Sequence, residues 1–344
     1  MLPGIIFFIA VILIFFFGAK HTDDNPDYLS RQTGVHLRGL ACLLVLSAHA
    51  GIMNNAFEWE FSTLEGPWGV GVFFFLSGYG LIRSMNIDYM RGFLKRKYIK
   101  LWIPVFSLTP VYYIIYNFVI PTGRDEYLGL HNVVVSLLNG NTIVSGAWYI
   151  LVMSCFYLAF KIAYEVSYRK ENAFRAEFVL IVVLFYIVYM TVVIFGWWGA
   201  QWMVSPHMFI IGLIWGINEP RILKRHSNII WVLIVSLIAA AAGVFLYESD
   251  SLYEWIIGIT LTVTGFCGVL IFISSRFRVG NRITGFIGKH SFGIYMVHWL
   301  VFYIIRNYVS NPYLWFVISL SAGVIIGVAA DKLFATISKK LSAA

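Results

Sequence analysis

The stretch His36-Leu37-Arg38-Gly39-Leu40-Ala41-Cys42-Leu43-Leu44-Val45-Leu46-Ser47-Ala48-His49-Ala50-Gly51 reads as a membrane-crossing helix with an arginine at its start and a histidine well inside. Eleven positions separate Arg38 from His49. At about 100° per residue, eleven steps return to within roughly 20° of the start, so both side chains share one helix face. At ~1.5 Å per residue they stand ~16 Å apart along the axis. Ionisable groups are costly in a bilayer, which makes an intramembrane histidine a candidate functional residue. The plainer readings are an arginine whose head reaches the lipid headgroups and a histidine that hydrogen-bonds a neighbouring helix. The pairing of the two on one face favours function.

Composition sets the environment. The chain is 60% hydrophobic and 12% charged, with a mean hydropathy of +0.78. A soluble domain is about 45–50% apolar and about 25% charged. The expected fold is therefore all-α: a polytopic integral membrane helical bundle with about 11 transmembrane helices. Cys42, Cys155 and Cys267 all fall in apolar stretches without metal-ligand spacing. They read as packing residues, with no disulfide framework and no metal.

At ~20 apolar residues per crossing, the expected spans are Leu2–Ala19, Leu37–Met53, Trp68–Ile82, Leu101–Ile120, Ala147–Tyr164, Phe178–Phe195, Val204–Ile217, Ile229–Tyr247, Leu252–Ile273, Ser291–Ile305 and Tyr313–Phe334. The seventh and tenth are the weakest. With these spans, all of the 25 Lys and Arg except Arg124 and Arg306 fall in one set of alternate connections. Basic residues concentrate on the cytoplasmic side, so the N-terminus is expected outside and the C-terminus in the cytoplasm. The net charge of +8 is explained by membrane sidedness, and no nucleic-acid partner is needed. The first span lacks a basic flank before its apolar run, so it reads as an uncleaved anchor.

The string R-G-L-A-x(7)-H at Arg38–His49 resembles the membrane acyltransferases of the acyltransferase 3 family. These proteins move acyl groups, often acetyl from acetyl-CoA, onto sugars and other acceptors. A second resemblance is G-V-x-x-F-F-x-L-S-G at Gly69–Gly78; many members carry Asp where this chain has Gly71. The third is G-x-x-S-x-x-x-Y-x-x-H, carried by Gly288, Ser291, Tyr295 and His298. The resemblance covers about His36 to Phe334. The family core usually has ten helices, so residues 1–35 read as an extra N-terminal transmembrane helix with a cytoplasmic loop, and 36–344 as the acyltransferase-like membrane domain. Some relatives carry a fused periplasmic esterase domain of the SGNH type. This chain is expected to act alone, as a homo-oligomer, or with a separate partner.

The basic stretch Tyr89–Lys100 reads either as a headgroup-binding segment or as an anion site. Arg96 and Lys100, four apart, share a helix face and suit the phosphates of a nucleotide-like donor. The family has an Arg pair here followed by a Pro, matched by Pro104; Lys100 departs from that pattern and holds phosphate only as a point charge. The small residues Ser77 and Gly78 could admit a thin ligand or simply allow close helix packing. Glu58 and Trp59, in an outer loop without Lys or Arg, could hold a sugar or form part of an interfacial aromatic belt. Trp148 resembles the family's W-F-L signature and is otherwise an aromatic anchor. His207 reads as an interfacial histidine. Ser291, Tyr295 and His298, at i, i+4 and i+7, share one helix face.

Together with these residues, the resemblance implies an acyl-CoA-dependent O-acyltransferase in the bilayer, of bacterial inner-membrane type. Arg38, Arg96, Lys100, Ser77 and Gly78 would hold acyl-CoA from the cytoplasmic side. His49, with Arg38 and His298, would carry the chemistry, the two histidines converging on one cavity. Glu58, Trp59, Trp148, Ser291 and Tyr295 would contact a glycan or other hydroxyl-bearing acceptor. The alternative is a multi-span transporter or flippase of a glycan or lipid intermediate; no inverted repeat is visible to support it. The orientation is tested by labelling: a cysteine beside Glu60 should react from outside and one beside Arg169 only from inside, and the reverse pattern would overturn it.

Overall fold

Apolar runs this long must satisfy their backbone polar groups internally once in lipid, and helices do so within one segment. A computed structural model describes residues 2–119, 129–138, 143–167, 174–196, 198–223 and 226–343. It is 83% helical. In order, the elements are α1 (Leu2–Phe16), β1 (Lys20–His21), α2 (Arg31–Met53), α3 (Ser62–Ser84), α4 (Ile87–Met90), α5 (Phe93–Ile114) and α6 (Leu130–Leu138). They continue with α7 (Trp148–Ser167), α8 (Phe174–Gly196), α9 (Gln201–Val204), α10 (His207–Ile222), α11 (His226–Tyr247), α12 (Leu252–Arg276), β2 (Phe277–Arg278), α13 (Arg282–Arg306) and α14 (Pro312–Ala343).

Each expected span falls on a helix. Among the described residues, seven helices are long and apolar enough to cross a membrane: α2, α5 with the turn that follows it, α7, α8, α11, α12 and α14. Length and composition among the described residues thus confirm seven of the expected spans and leave the count of eleven unconfirmed. The expected first span Leu2–Ala19 is cut short at Phe16, because Gly18 turns left-handed at φ +77°. Its 15 residues reach ~22 Å, below the ~30 Å hydrocarbon core. The seventh span, Val204–Ile217, falls mostly on α10, a helix of 16 residues that carries Pro220 near its end. Ile120, Arg124, Arg169, Lys170, Lys224 and Arg225, used above to place spans and sides, lie outside the described residues.

Polar residues place the helix starts. The Ser30 hydroxyl accepts from the Thr33 amide at 3.2 Å and opens α2 six residues before its apolar run, as an N-cap does. Asn281 Oδ1 accepts from the Ile283 and Thr284 amides and opens α13. Asn311 does the same for α14, where Pro312 is the first helical residue; proline suits that position because its missing N–H has no intrahelical partner there. Pro104 and Pro110 lie inside α5, which ends in a π-helical turn over Ile115–Val119. Proline removes an i→i−4 bond, and the ladder widens after it.

The chain divides into two compact units. The first comprises Met1–Ile87 and Ala163–Lys289. Its hub is α3, which packs against α2, α10 and α12. A Cβ at Gly69 would strike Ala41 O and come within 2.9 Å of Val45 Cγ2 on α2; one at Gly78 would strike Phe209 O on α10; one at Gly71 would strike Val263 Cγ1 on α12. From the other side, Gly212 meets Phe75 O, and Gly216, four residues on, lies 3.0 Å from Ile82 Cβ. This small-x-x-x-small spacing lets membrane helices approach at backbone distance. Helices α11 and α12 pack likewise through Gly243, Gly258, Gly265 and Gly268. The pair β1–β2 ties the segment after α1 to the end of α12, helped by Asn25, whose amide donates to Ser274 O at 2.8 Å.

The second unit comprises Asp88–Ile162 and His290–Ala344. There α14 packs on α5, and α13 meets α14 at Gly293, Gly323 and Gly327. The glycine contacts give a sharp comparison within one helix. Gly78→Val should lower the midpoint of thermal unfolding in detergent, at a cost of about 1–3 kcal/mol for overpacking. Gly80→Ala, where nothing lies within 4 Å of the new Cβ, should leave it unchanged.

Candidate functional site

In the first unit, Arg38 and His49 lie on one unbroken helix, α2, and both are half-buried. Ala41, Val45 and Ala48 face α3, against Gly69 and Gly66, while Gly39 and Val35 meet Thr284 and Gly288 on the first turns of α13. At ~100° per residue, the Arg38–His49 stripe points between those two directions. At its Arg38 end, the stripe lies between the face of α2 that meets α3 and the face that meets the start of α13. The first two sequence strings and the opening glycine of the third are therefore neighbours in space.

The other expected residues of this unit have specific structural partners. Gly78 is spent on α10, as shown above. The partly exposed Ser77 donates its hydroxyl to Phe73 O at 2.7 Å, one turn back. Glu58 is exposed in the loop before α3. Trp59 is half-buried; its indole N–H donates to Glu65 Oε1 at 2.7 Å and its ring packs on Phe8 and Phe61. His207 is a helix-to-helix donor. The Thr264 hydroxyl gives its only proton to Thr260 O at 2.9 Å. The 2.8 Å contact with His207 Nε2 must then be donated by the histidine.

Two buried acids escaped sequence reasoning. Glu65 is fully buried in the first turn of α3; the Ser47 hydroxyl also bonds it, and its Oε2 has no hydrogen-bond partner among the described residues. Glu219 on α10 accepts from Tyr28 Oη at 2.6 Å and Tyr79 Oη at 2.9 Å, and pairs with Arg83 at 3.3 Å. Trp215 Nε1 donates to Tyr28 Oη at 2.8 Å. Burial, and then the bonded Glu219, hold the Tyr28 hydroxyl well above its ordinary pKa, so it stays a donor. Glu65 and Glu219 each stand at the end of an apolar run; the partners of Glu219, 140 and 191 residues away for Tyr79 and Tyr28, carry no signal in the sequence.

In the second unit, Gly92 adopts φ +63° ahead of α5 and turns the chain back on itself. Arg96 knits that turn by donating to the Tyr89 and Arg91 carbonyls, with its guanidinium 5.8 Å from the Tyr89 ring centre. Two of its five N–H donors are used this way. Lys100 is exposed on the same helix. Lys97, not singled out from the sequence, sits 5.0 Å from the Tyr157 ring centre and 5.7 Å from those of Tyr89 and Phe93.

On α13, Ser291, Tyr295 and His298 are all buried. Tyr295 Oη donates to Gly146 O at 3.2 Å, and its ring lies 5.9 Å from those of Tyr149 and His298. Gly146 is left-handed at φ +83°, and a Cβ there would come within 3.0 Å of Tyr295, so both requirements select glycine. Trp148 is partly exposed and meets Tyr149 edge-on. His298 Nδ1 contacts Ile294 O at 3.2 Å; a carbonyl can only accept, so Nδ1 carries a proton and Nε2 of the neutral ring carries the lone pair. His290, beside Ser291, pairs with Asp331 on α14 at 2.9 Å. His49 and His298 belong to different units.

Residues 36–330 match the family model described as an acyltransferase domain, acyltransferase 3. The chain belongs to the acyltransferase 3 family. It is thus a membrane acyltransferase, built of long apolar helices. No curated protein and no solved structure matches it. Within this acyltransferase, Glu219→Ala would leave two buried hydroxyls and Arg83 without their acceptor. A loss of about 3 kcal/mol is expected, read as a lower unfolding midpoint, with Glu219→Gln losing less because it keeps an acceptor oxygen.

Proposed function

We propose that this acyltransferase takes an acyl group, acetyl in the first instance, from acyl-CoA on the cytoplasmic side and transfers it to a hydroxyl of a glycan or other cell-envelope acceptor. The observation that carries the reading is the Arg38–His49 stripe, an arginine and a histidine on one face of one continuous helix inside the region that matches the family. Arg38 would grip CoA phosphate through paired N–H donors. The pantetheine arm would run along that face of α2 toward His49, ~16 Å away on the helix axis. An imidazole suits proton transfer near neutral pH because its ordinary pKa is ~6.5.

In the transfer step, the acceptor oxygen bonds to the thioester carbonyl carbon and the carbon–sulfur bond breaks. His49 takes the hydroxyl proton and passes it to the departing CoA thiolate. An acyl-imidazole on His49 reaches the same products in two steps. Radiolabelled acetyl-CoA mixed without acceptor and quenched on denaturation separates the two routes, since only the second leaves label on the protein. In the same unit as His49, Glu58 and Trp59 would contact the acceptor.

The deciding experiment is acetyl-CoA binding and turnover by purified protein in detergent. His49→Ala should retain the wild-type unfolding midpoint and CoA affinity and lose turnover by ~10²–10⁴. Arg38→Ala should instead weaken CoA binding, with a smaller deficit at high salt. Full turnover in His49→Ala would remove its catalytic role, and the absence of acyl-CoA binding to wild type would remove the donor.

A further inference from the structure

Within the first unit, α10 packs on α3 and α11 packs on α12, while α10 and α11 make little direct contact. The gap between them, floored by α12, is a groove of about 610 Å³. That volume falls in the range of small-molecule sites. Met208, Ile211, Trp231, Val235 and Ile271 line its shaft.

The polar atoms of the shaft are already committed. Ser236 donates to Val232 O at 2.6 Å. Thr264 donates to Thr260 O and receives His207. The shaft therefore offers an occupant an apolar wall.

Polarity is concentrated at one end, where Asn218, Arg221 and Asn228 stand together. The Asn228 amide donates to Arg221 O at 3.3 Å and Ile222 O at 3.0 Å, pinning the start of α11 to the end of α10 and closing that end of the groove. The Arg221 side chain is exposed and has no hydrogen-bond or ion-pair partner among the described residues. The nearest acid in sequence, Glu219, is taken by Tyr28, Tyr79 and Arg83. From Arg221 back to Met208, α10 rises ~20 Å, about two thirds of the hydrocarbon core. A cation at the rim of a satisfied apolar shaft of that length matches an anion with a hydrocarbon chain.

We propose that this groove binds a phospholipid, its phosphate on Arg221 and one acyl chain along α10, α11 and α12. The site is separate from the Arg38–His49 stripe and independent of the acyl-transfer reading. A phosphate–guanidinium contact is bidentate and charge-assisted, so the headgroup supplies selectivity and the chain supplies buried area.

The test uses the full chain, delipidated in detergent and examined by native mass spectrometry with added phosphatidylglycerol. Wild type should retain one lipid under activation that strips the rest. Diacylglycerol, which has the chains without phosphate, and glycerol phosphate, which has the phosphate without chains, should each be retained at least about tenfold less. Arg221→Ala should lose the retained lipid by a similar factor. Val235→Trp, which fills the shaft, should abolish retention at an unchanged unfolding midpoint. Equal retention of phosphatidylglycerol by wild type and both variants would identify non-specific boundary lipid and overturn the site. Equal retention of diacylglycerol would overturn the role of the phosphate.

Discussion

Backbone-close contact at glycine is the interaction on which the first unit depends. In a bilayer, lipid tails are as apolar as leucine, so helices gain little from burying hydrocarbon against one another. What remains is dispersion at close range, supplemented by a few hydrogen bonds. Helix α3 meets three neighbours by this means, with Gly69 toward α2, Gly78 toward α10 and Gly71 toward α12. Because those contacts leave no room for a side chain, they also set the rotation of each helix. The direction in which the Arg38–His49 stripe points follows from the fit of Gly69 against Ala41 and of Gly39 against Thr284.

A second layer of order comes from polar groups at the helix ends. Ser30, Asn281 and Asn311 place the starts of three helices. The Glu219 cluster joins α3, α10 and the segment before α2, and Trp59 with Ser47 holds Glu65 at the other end of α3. A carboxylate shielded from water requires such donors; Glu219 draws them from residues far away in sequence, Glu65 from the preceding loop and helix. Glycine contacts fix the separations between helices, and these clusters fix how far each slides along its neighbour.

Local features were the legible ones. Apolar runs located the helices, and the spacing from Arg38 to His49 gave a shared face on a helix that proves continuous. The three motif strings pointed to the family that the chain matches over residues 36–330. What could not be read depended on partners remote in sequence or on single backbone angles. Gly18 ends α1 early through its positive φ. Gly92 bends the basic stretch so that Arg96 meets two carbonyls. The bond from the Trp59 indole to Glu65 is local, six residues on, but no pattern in the sequence announces it. The bond from His207 to Thr264, 57 residues on, cannot be foreseen from a single histidine.

Gly71 carries a consequence beyond packing. Its missing side chain is matched by Val263 Cγ1, with Cys267 Sγ and Met208 Cγ each 3.5 Å from where a Cβ would lie. An aspartate, common at this position among the proteins it resembles, would have to displace valine methyls from a close-packed contact. Restoring the acid thus calls for a paired change, with Val263 cut back when Gly71 is replaced. The two positions form an epistatic couple: each substitution alone is penalised, and the route between the two states of the site passes through a less stable protein.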